Sequence, residues 1–399
     1  MSAPELPHHW FRRELGRLVS ILSRRFGVHR LELCEDAAQT ALLRATQAWA
    51  SALPDDPGAW LYRVAHNYVL DELRREKRDE RYLAEVEVAY SQQEVEDDVL
   101  RLLFVCADPE IPPESQLVLA LKTLCGFSTG EIALRLFQSE DAVHKRLQRA
   151  RARLGERAAI ESIDPARVQS VLPMLYLLFN EGYSSAQPDR VIRRELCDEA
   201  LRLALVLKGD PAGALPETDA LVALMCFHAA RFDARVDGMG GLLLLEEQDR
   251  ARWDAELVRR GVAHLELSAR GETFSRYHAE AGIAAEHCLA PSYAETDWEE
   301  IVRLYDVLER IAPSPLNVLN RAIALAEWKG ADAGLDALAA LDAPSWLRAY
   351  YLWDATLGEL YRRRGDRERA LAHTKRALAA APTNAEKALL ARRIDAIGA

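Results

Sequence analysis

Apolar residues recur at three- and four-residue steps along nearly all of this 399-residue chain, a spacing that restricts it to packed helices. Between Trp10 and Phe26 the stripe is Phe11, Leu15, Leu18, Val19 and Leu22. Between Cys34 and Ser51 it is Ala38, Ala41, Leu42 and Ala45, and from Ala59 to Arg78 it is Trp60, Leu61, Val64, Ala65, Tyr68, Val69 and Leu73. Pro57 lies just before the third stripe, where its missing N–H is tolerated. Pro112 and Pro113 start a fourth helix with Leu117, Ala120, Leu121 and Leu124 on one face, and Gly126 ends it. Beyond residue 165 the spacing predicts helices over Pro165–Glu181, Val191–Lys208, Glu217–Phe232 and Gln248–Leu267. Residues 236–247, three glycines followed by four leucines, read as a loop or a small hairpin. The expected fold class is all-α.

An apolar fraction of 49% with 28% charged residues excludes gross disorder. No 18-residue stretch is free of charges, so no membrane span is expected, and the N-terminus lacks the apolar core of a signal peptide. The six cysteines (Cys34, Cys106, Cys125, Cys197, Cys226 and Cys288) form no CxxC pair, so free thiols and a cytoplasmic location are expected. A net charge of −11 excludes a chain coated with basic residues, but the charge is uneven. Residues 83–110 hold eight acids against Arg101 alone, while residues 143–157 hold Lys145, Arg146, Arg149, Arg151, Arg153 and Arg157 against Glu156 alone. An acidic, flexible tether at 83–98 followed by a basic helix marks a domain boundary.

That basic helix is well punctuated. Ser128 with Glu131 three residues on makes a capping box for a short helix, Thr129–Phe137, and Ser139 caps a longer one from Glu140 to about Glu156. A short helix, a turn and a basic helix form the helix-turn-helix pattern. Val143, Leu147, Ala150 and Leu154 make its packing stripe; His144, Lys145, Arg146, Gln148, Arg149, Arg151 and Arg153 remain to meet phosphates and base edges. No phosphate loop, dinucleotide fingerprint, zinc-protease or nucleophile-elbow motif occurs, so neither enzymatic activity nor a cofactor or metal is expected. His228 reads as a hydrogen-bonded core residue, and Glu246 to Arg250 as a cap with local ion pairs. Near the end, Leu357, Gly358, Tyr361, Ala370, Ala377 and Pro382 fall at tetratricopeptide spacings, with Gly365–Asp366 at the turn and Gly330 35 residues earlier; Asp354 and Thr374 depart from that pattern.

Two further strings carry a family resemblance. Residues 31–43, LELCEDAAQTALL, are followed by Pro57-Gly58-Ala59-Trp60-Leu61-Tyr62-Arg63-Val64-Ala65-His66-Asn67 and by Asp71-Glu72-Leu73-Arg74-Arg75-Glu76-Lys77-Arg78. This run resembles region 2 of the extracytoplasmic-function sigma factors, and residues 112–154 resemble region 4. Three later strings, 175–183, 247–253 and 312–322, resemble the subgroup with a long tetratricopeptide-like extension. His144 and Lys145 depart from the family's more frequent Lys or Arg followed by Ser.

The resemblance implies a sigma factor that binds core RNA polymerase and directs it to promoter DNA. It implies that Asp36, Gln39 and Arg44 meet the polymerase coiled coil, with Leu33, Ala37 and Ala41 in the core. Trp60, Arg63, His66 and Asn67 would face the melted upstream edge, with Arg74, Arg75, Lys77 and Arg78 on phosphates. His144, Lys145, Arg146, Arg149, Arg151 and Arg153 would enter the major groove. The expected domains are region 2 at 8–82, the linker at 83–98, region 4 at 99–157, a helical extension at 158–295, and repeats at 296–399 that bind a protein partner. The alternative is a stand-alone helix-turn-helix regulator with a sensing repeat domain.

Overall fold

A computed structural model describes residues 8–49, 52–75, 92–136, 138–154, 167–184, 192–238 and 241–398. They fall into two compact units, Met1–Leu178 with Asp198–Gly213, and Phe179–Cys197 with Ala214–Ala399. Among the described residues, seven α-helices precede the first chain crossing: α1 (His8–Phe26), α2 (Leu31–Ala48), α3 (Pro57–Arg75), α4 (Gln92–Cys106), α5 (Pro113–Thr123), α6 (Thr129–Arg135) and α7 (Glu140–Leu154). The expected apolar stripes turn inward: Leu18, Leu22 and Phe26 of α1, Ala38, Ala41 and Ala45 of α2, and Leu61, Ala65 and Val69 of α3 are fully buried. The alanine-rich face of α2 lets its neighbours approach closely. Gly16 of α1 does the same elsewhere, since a Cβ there would strike the Leu124 carbonyl just past α5.

The acidic stretch is only partly a tether. Residues 83–91 lie outside the described residues, but α4 begins at Gln92, inside it. Val99, Leu100, Leu102 and Leu103 give that helix an inward face, and Asp98, only 2% exposed, accepts hydrogen bonds from Arg24 of α1 (3.1 Å) and Arg101 (3.4 Å). The paired arginines allow an acid to be buried there.

The helices α8 (Val168–Tyr183) and α9 (Arg194–Gly209) each hold residues of both units. α10 (Pro216–Ala229) is buried on nearly every side, from Glu217 through Phe227. Within the stretch read as a loop or small hairpin, an antiparallel bridge joins Val236 to Leu242. The helix expected from Gln248 starts later, as α11 (Ala255–Ser268), because Asp254 caps it, accepting from the N–H groups of Glu256 (2.9 Å) and Leu257 (3.0 Å). There follow α12 (Arg276–Leu289), α13 (Trp298–Ile311), α14 (Pro315–Lys329), α15 (Ala331–Ala339), α16 (Ser345–Ala349), α17 (Tyr351–Arg364), α18 (Arg367–Ala380) and α19 (Asn384–Gly398). Gly365 ends α17 with φ 87°, and Asp366 caps α18. At Gly358 the two helices nearly touch: a Cβ there would lie 2.5 Å from Thr374 Oγ1.

No described helix is long and apolar enough to cross a membrane, and no disulfide joins any of the six cysteines.

Candidate nucleic-acid interface

The α6–α7 pair is held by its caps. Ser128 Oγ accepts from the Glu131 N–H (3.1 Å), and Glu131 returns the bond to the Ser128 N–H (2.8 Å). Ser139 Oγ accepts from the Ala142 N–H (3.2 Å) at the start of α7. With Val143, Leu147, Ala150 and Leu154 buried, His144, Lys145, Gln148, Arg149 and Arg153 stand on the exposed side of α7. Arg149 is braced by its Nε, which donates to the Lys145 carbonyl (3.1 Å). Arg146 is half-buried instead and pairs with Glu114 of α5 at 2.5 Å.

Arg151 turns away from the exposed side altogether. It pairs with Glu32 of α2 at 3.0 Å and with Glu35 of the same helix. Glu35 is 3% exposed and also accepts from Thr123 Oγ1 at 2.6 Å. Burial pushes its carboxyl above the usual range, while Arg151 and the Thr123 hydroxyl pull it back. Glu35 lies next to exposed Asp36 in the sequence, yet the structure places it inside, against the end of α5 and the flank of α7. The pairing spans 116 residues, so no local spacing signals it.

On α2, Asp36, Gln39 and Arg44 are exposed, Ala37 and Ala41 are buried, and Leu33 is half-buried. On α3, Arg63 and Asn67 are exposed, while Trp60 is half-buried against Trp49, ring centroids 5.3 Å apart. Trp49 in turn meets Trp10 at 5.8 Å. His66 departs from its expected place. It is 7% exposed and lies between Phe26 and Tyr62, each 5.5 Å away, because its position continues the inward stripe of Tyr62, Ala65 and Val69. Burial, then the nearby Arg25, lowers its pKa and keeps the ring neutral. Arg74 and Arg75 are exposed and pair within the helix with Asp71 (3.2 Å) and Glu72 (2.5 Å). Lys77 and Arg78 lie outside the described residues.

Two expectations in the second unit also change. His228 stacks on Tyr183 (4.7 Å), but its Nδ1 is buried with no hydrogen-bond partner. Arg250 makes no local ion pair; it donates to the carbonyls of His287 (2.7 Å) and Ala290 (2.8 Å) at the end of α12.

Residues 10–79 match sigma-70 region 2, residues 106–154 match sigma-70 region 4, and residues 167–269 match a family of unknown function, DUF6596. An uncharacterised protein of Rhizobium meliloti (strain 1021) is 36% identical over 389 residues, covering 92% of this chain and 91% of that protein. No solved structure matches. Regions 2 and 4 in their proper order, on the α1–α3 and α5–α7 helices, together with this relative, show that the chain belongs to the sigma-70 family of RNA polymerase factors.

Proposed function

We propose that this protein is a non-enzymatic sigma factor of the extracytoplasmic-function type, acting in the cytoplasm to bring core RNA polymerase to a set of promoters. The observation that carries the reading is the sidedness of α7, whose buried stripe is opposed by exposed His144, Lys145, Arg149 and Arg153, behind a capped short helix. A helix so arranged can place side-chain donors in a major groove while the rest of the domain stays packed. In region 2, exposed Asp36, Gln39 and Arg44 are the proposed polymerase contact. Trp60, Arg63, Asn67, Arg74 and Arg75 are the proposed contacts to the melted strand and its phosphates. His66 has no place in that set, being enclosed by aromatic rings.

Arg151 belongs to the DNA set only in a rearranged state, because its guanidinium is occupied by Glu32 and Glu35. The same contact covers Glu35, one residue from Asp36 on the proposed polymerase-binding helix. The second unit is read as a tetratricopeptide-like domain that binds a protein partner and supports initiation; the close α17–α18 pairing at Gly358 favours that reading.

The test is co-purification with core polymerase. Asp36→Arg combined with Gln39→Ala should abolish it while the fold survives, since both side chains are exposed. Unchanged co-purification would overturn the polymerase-binding assignment.

A further inference from the structure

The string Gln248 to Trp253 lies outside the region 2 and region 4 matches, yet it builds an unusual environment in the second unit. Two guanidinium groups face one indole: Arg250 Cζ is 4.5 Å and Arg231 Cζ 5.5 Å from the Trp253 ring centroid. Arg250 Nη1 is used by the carbonyls at the end of α12, but its Nη2 is buried with no acceptor. Arg231 Nε donates to Gln248 Oε1 (3.2 Å), and its terminal nitrogens meet no acceptor among the described residues. Trp253, 8% exposed, buries an Nε1 donor without a partner, and His287 Nδ1 is likewise buried and unpartnered.

The acids along this stretch are committed elsewhere. Glu247 accepts from the Leu244 N–H (2.7 Å), Asp249 from the Ala251 N–H (3.0 Å), and Asp254 from the first turn of α11. Burial lowers the Arg250 pKa, which Glu295 offsets only at a distance, and Glu295 accepts from Ser292 Oγ at 2.6 Å. No carboxylate among the described residues pairs with Arg231 or Arg250. Burial first, then Arg231 and Arg250, drives His287 down to about 3. A buried guanidinium without a counter-charge is costly, and hydrogen-bonded oxyanions are its natural partners.

We propose that Arg231, Arg250 and the Trp253 N–H form a binding site for the oxyanion group of a small molecule, a carboxylate or a phosphate. Arg250 Nη2 and Trp253 Nε1 are its buried donors, and half-buried Arg231 adds its terminal nitrogens. The site does not depend on the role in transcription and is testable on the full chain alone.

The experiment is isothermal titration of the full-length protein in a chloride-matched buffer, with inorganic phosphate in one arm and acetate in the other. Saturable binding with Kd tighter than about 1 mM in either arm is expected. The responding arm tells phosphate from carboxylate, and a response in both identifies a general oxyanion site. Arg231→Gln should weaken binding at least about tenfold, which is about 1.4 kcal/mol. Trp253→Phe, which keeps the ring and removes only the N–H, should weaken it in the same direction, so the result does not rest on a single variant's stability. Arg250→Gln is unsuitable alone, because it also frees the α12 carbonyls. Binding weaker than that threshold in both arms, or binding that Arg231→Gln and Trp253→Phe leave unchanged, overturns the proposal.

Discussion

Removing the Arg151 guanidinium should loosen the contact between α7 and α2 by a predictable amount. Arg151→Ala leaves Glu35 enclosed with Thr123 as its remaining partner. Deleting one member of a buried pair costs about 3–5 kcal/mol, because the survivor stays desolvated. The Arg151 side chain is 21% exposed and Glu35 can protonate, so the lower end, about 3 kcal/mol, applies. Glu35→Gln should be milder, at about 1.5 kcal/mol, since it trades a charge-assisted bond for a neutral one and leaves no buried charge. Adding Glu35→Gln to Arg151→Ala should therefore recover part of the loss, which is the signature of direct coupling. A chain of two compact units need not unfold in one step, so the assay is native-state hydrogen exchange at the α2 and α7 amides. A loss of about 3 kcal/mol raises exchange there by about a hundredfold. A rise below about tenfold in Arg151→Ala, or no recovery in the double variant, would refute the reasoning.

Three further outcomes follow from the same geometry. Arg149→Ala, if Arg149 reads a base edge, should cost about 1–3 kcal/mol of promoter affinity with loss of preference at one position, whereas Arg153→Ala, if a phosphate contact, should weaken all sequences alike; filter binding across promoter variants separates the two. Gly16→Val should destabilise the first unit by more than about 1 kcal/mol, because its side chain would strike the Leu124 backbone, and thermal denaturation would show it. Burial holds His228 and His287 at about 3, below the ordinary 6.5, so the folded second unit binds fewer protons than the unfolded chain. Its stability is present above about pH 6.5 and falls as pH drops towards 3, by about 1.4 kcal/mol per pH unit for each histidine; melting between pH 7 and 5 should show this slope, and His228→Gln should reduce it.

The helices were legible because their apolar stripes are local. Of the stripes from Trp10 to Phe26 and across α3, Leu18, Val19, Leu22, Leu61, Ala65, Val69 and Leu73 are buried while Phe11, Leu15, Trp60, Val64 and Tyr68 are half-buried, and the Ser128–Glu131 box fixes the start of α6 within one residue. Errors arose where a distant partner reverses a local preference. Glu35 and Asp98 look like surface acids until Arg151 and Arg24, far along the chain, enclose them. His66 sits on a polar string but shares its helix face with Tyr62 and Val69, and helix phase decided its position. The stretch from Glu246 to Arg250 reads as a cap because the carbonyls that Arg250 serves are some forty residues on, at the end of α12. The exposed basic face of α7 was readable in full except for Arg146 and Arg151, the two whose acidic partners lie on other helices.

The most direct test of the central claim is run-off transcription with purified core polymerase, with and without the full-length protein. The template would be a promoter selected from genomic fragments that the holoenzyme protects. Initiation at that promoter should require the protein, and it should fail with Asp36→Arg combined with Gln39→Ala and fall sharply with Arg149→Ala. Promoter binding by the protein without polymerase, and no stimulation of initiation when polymerase is added, would contradict the account and favour a stand-alone regulator.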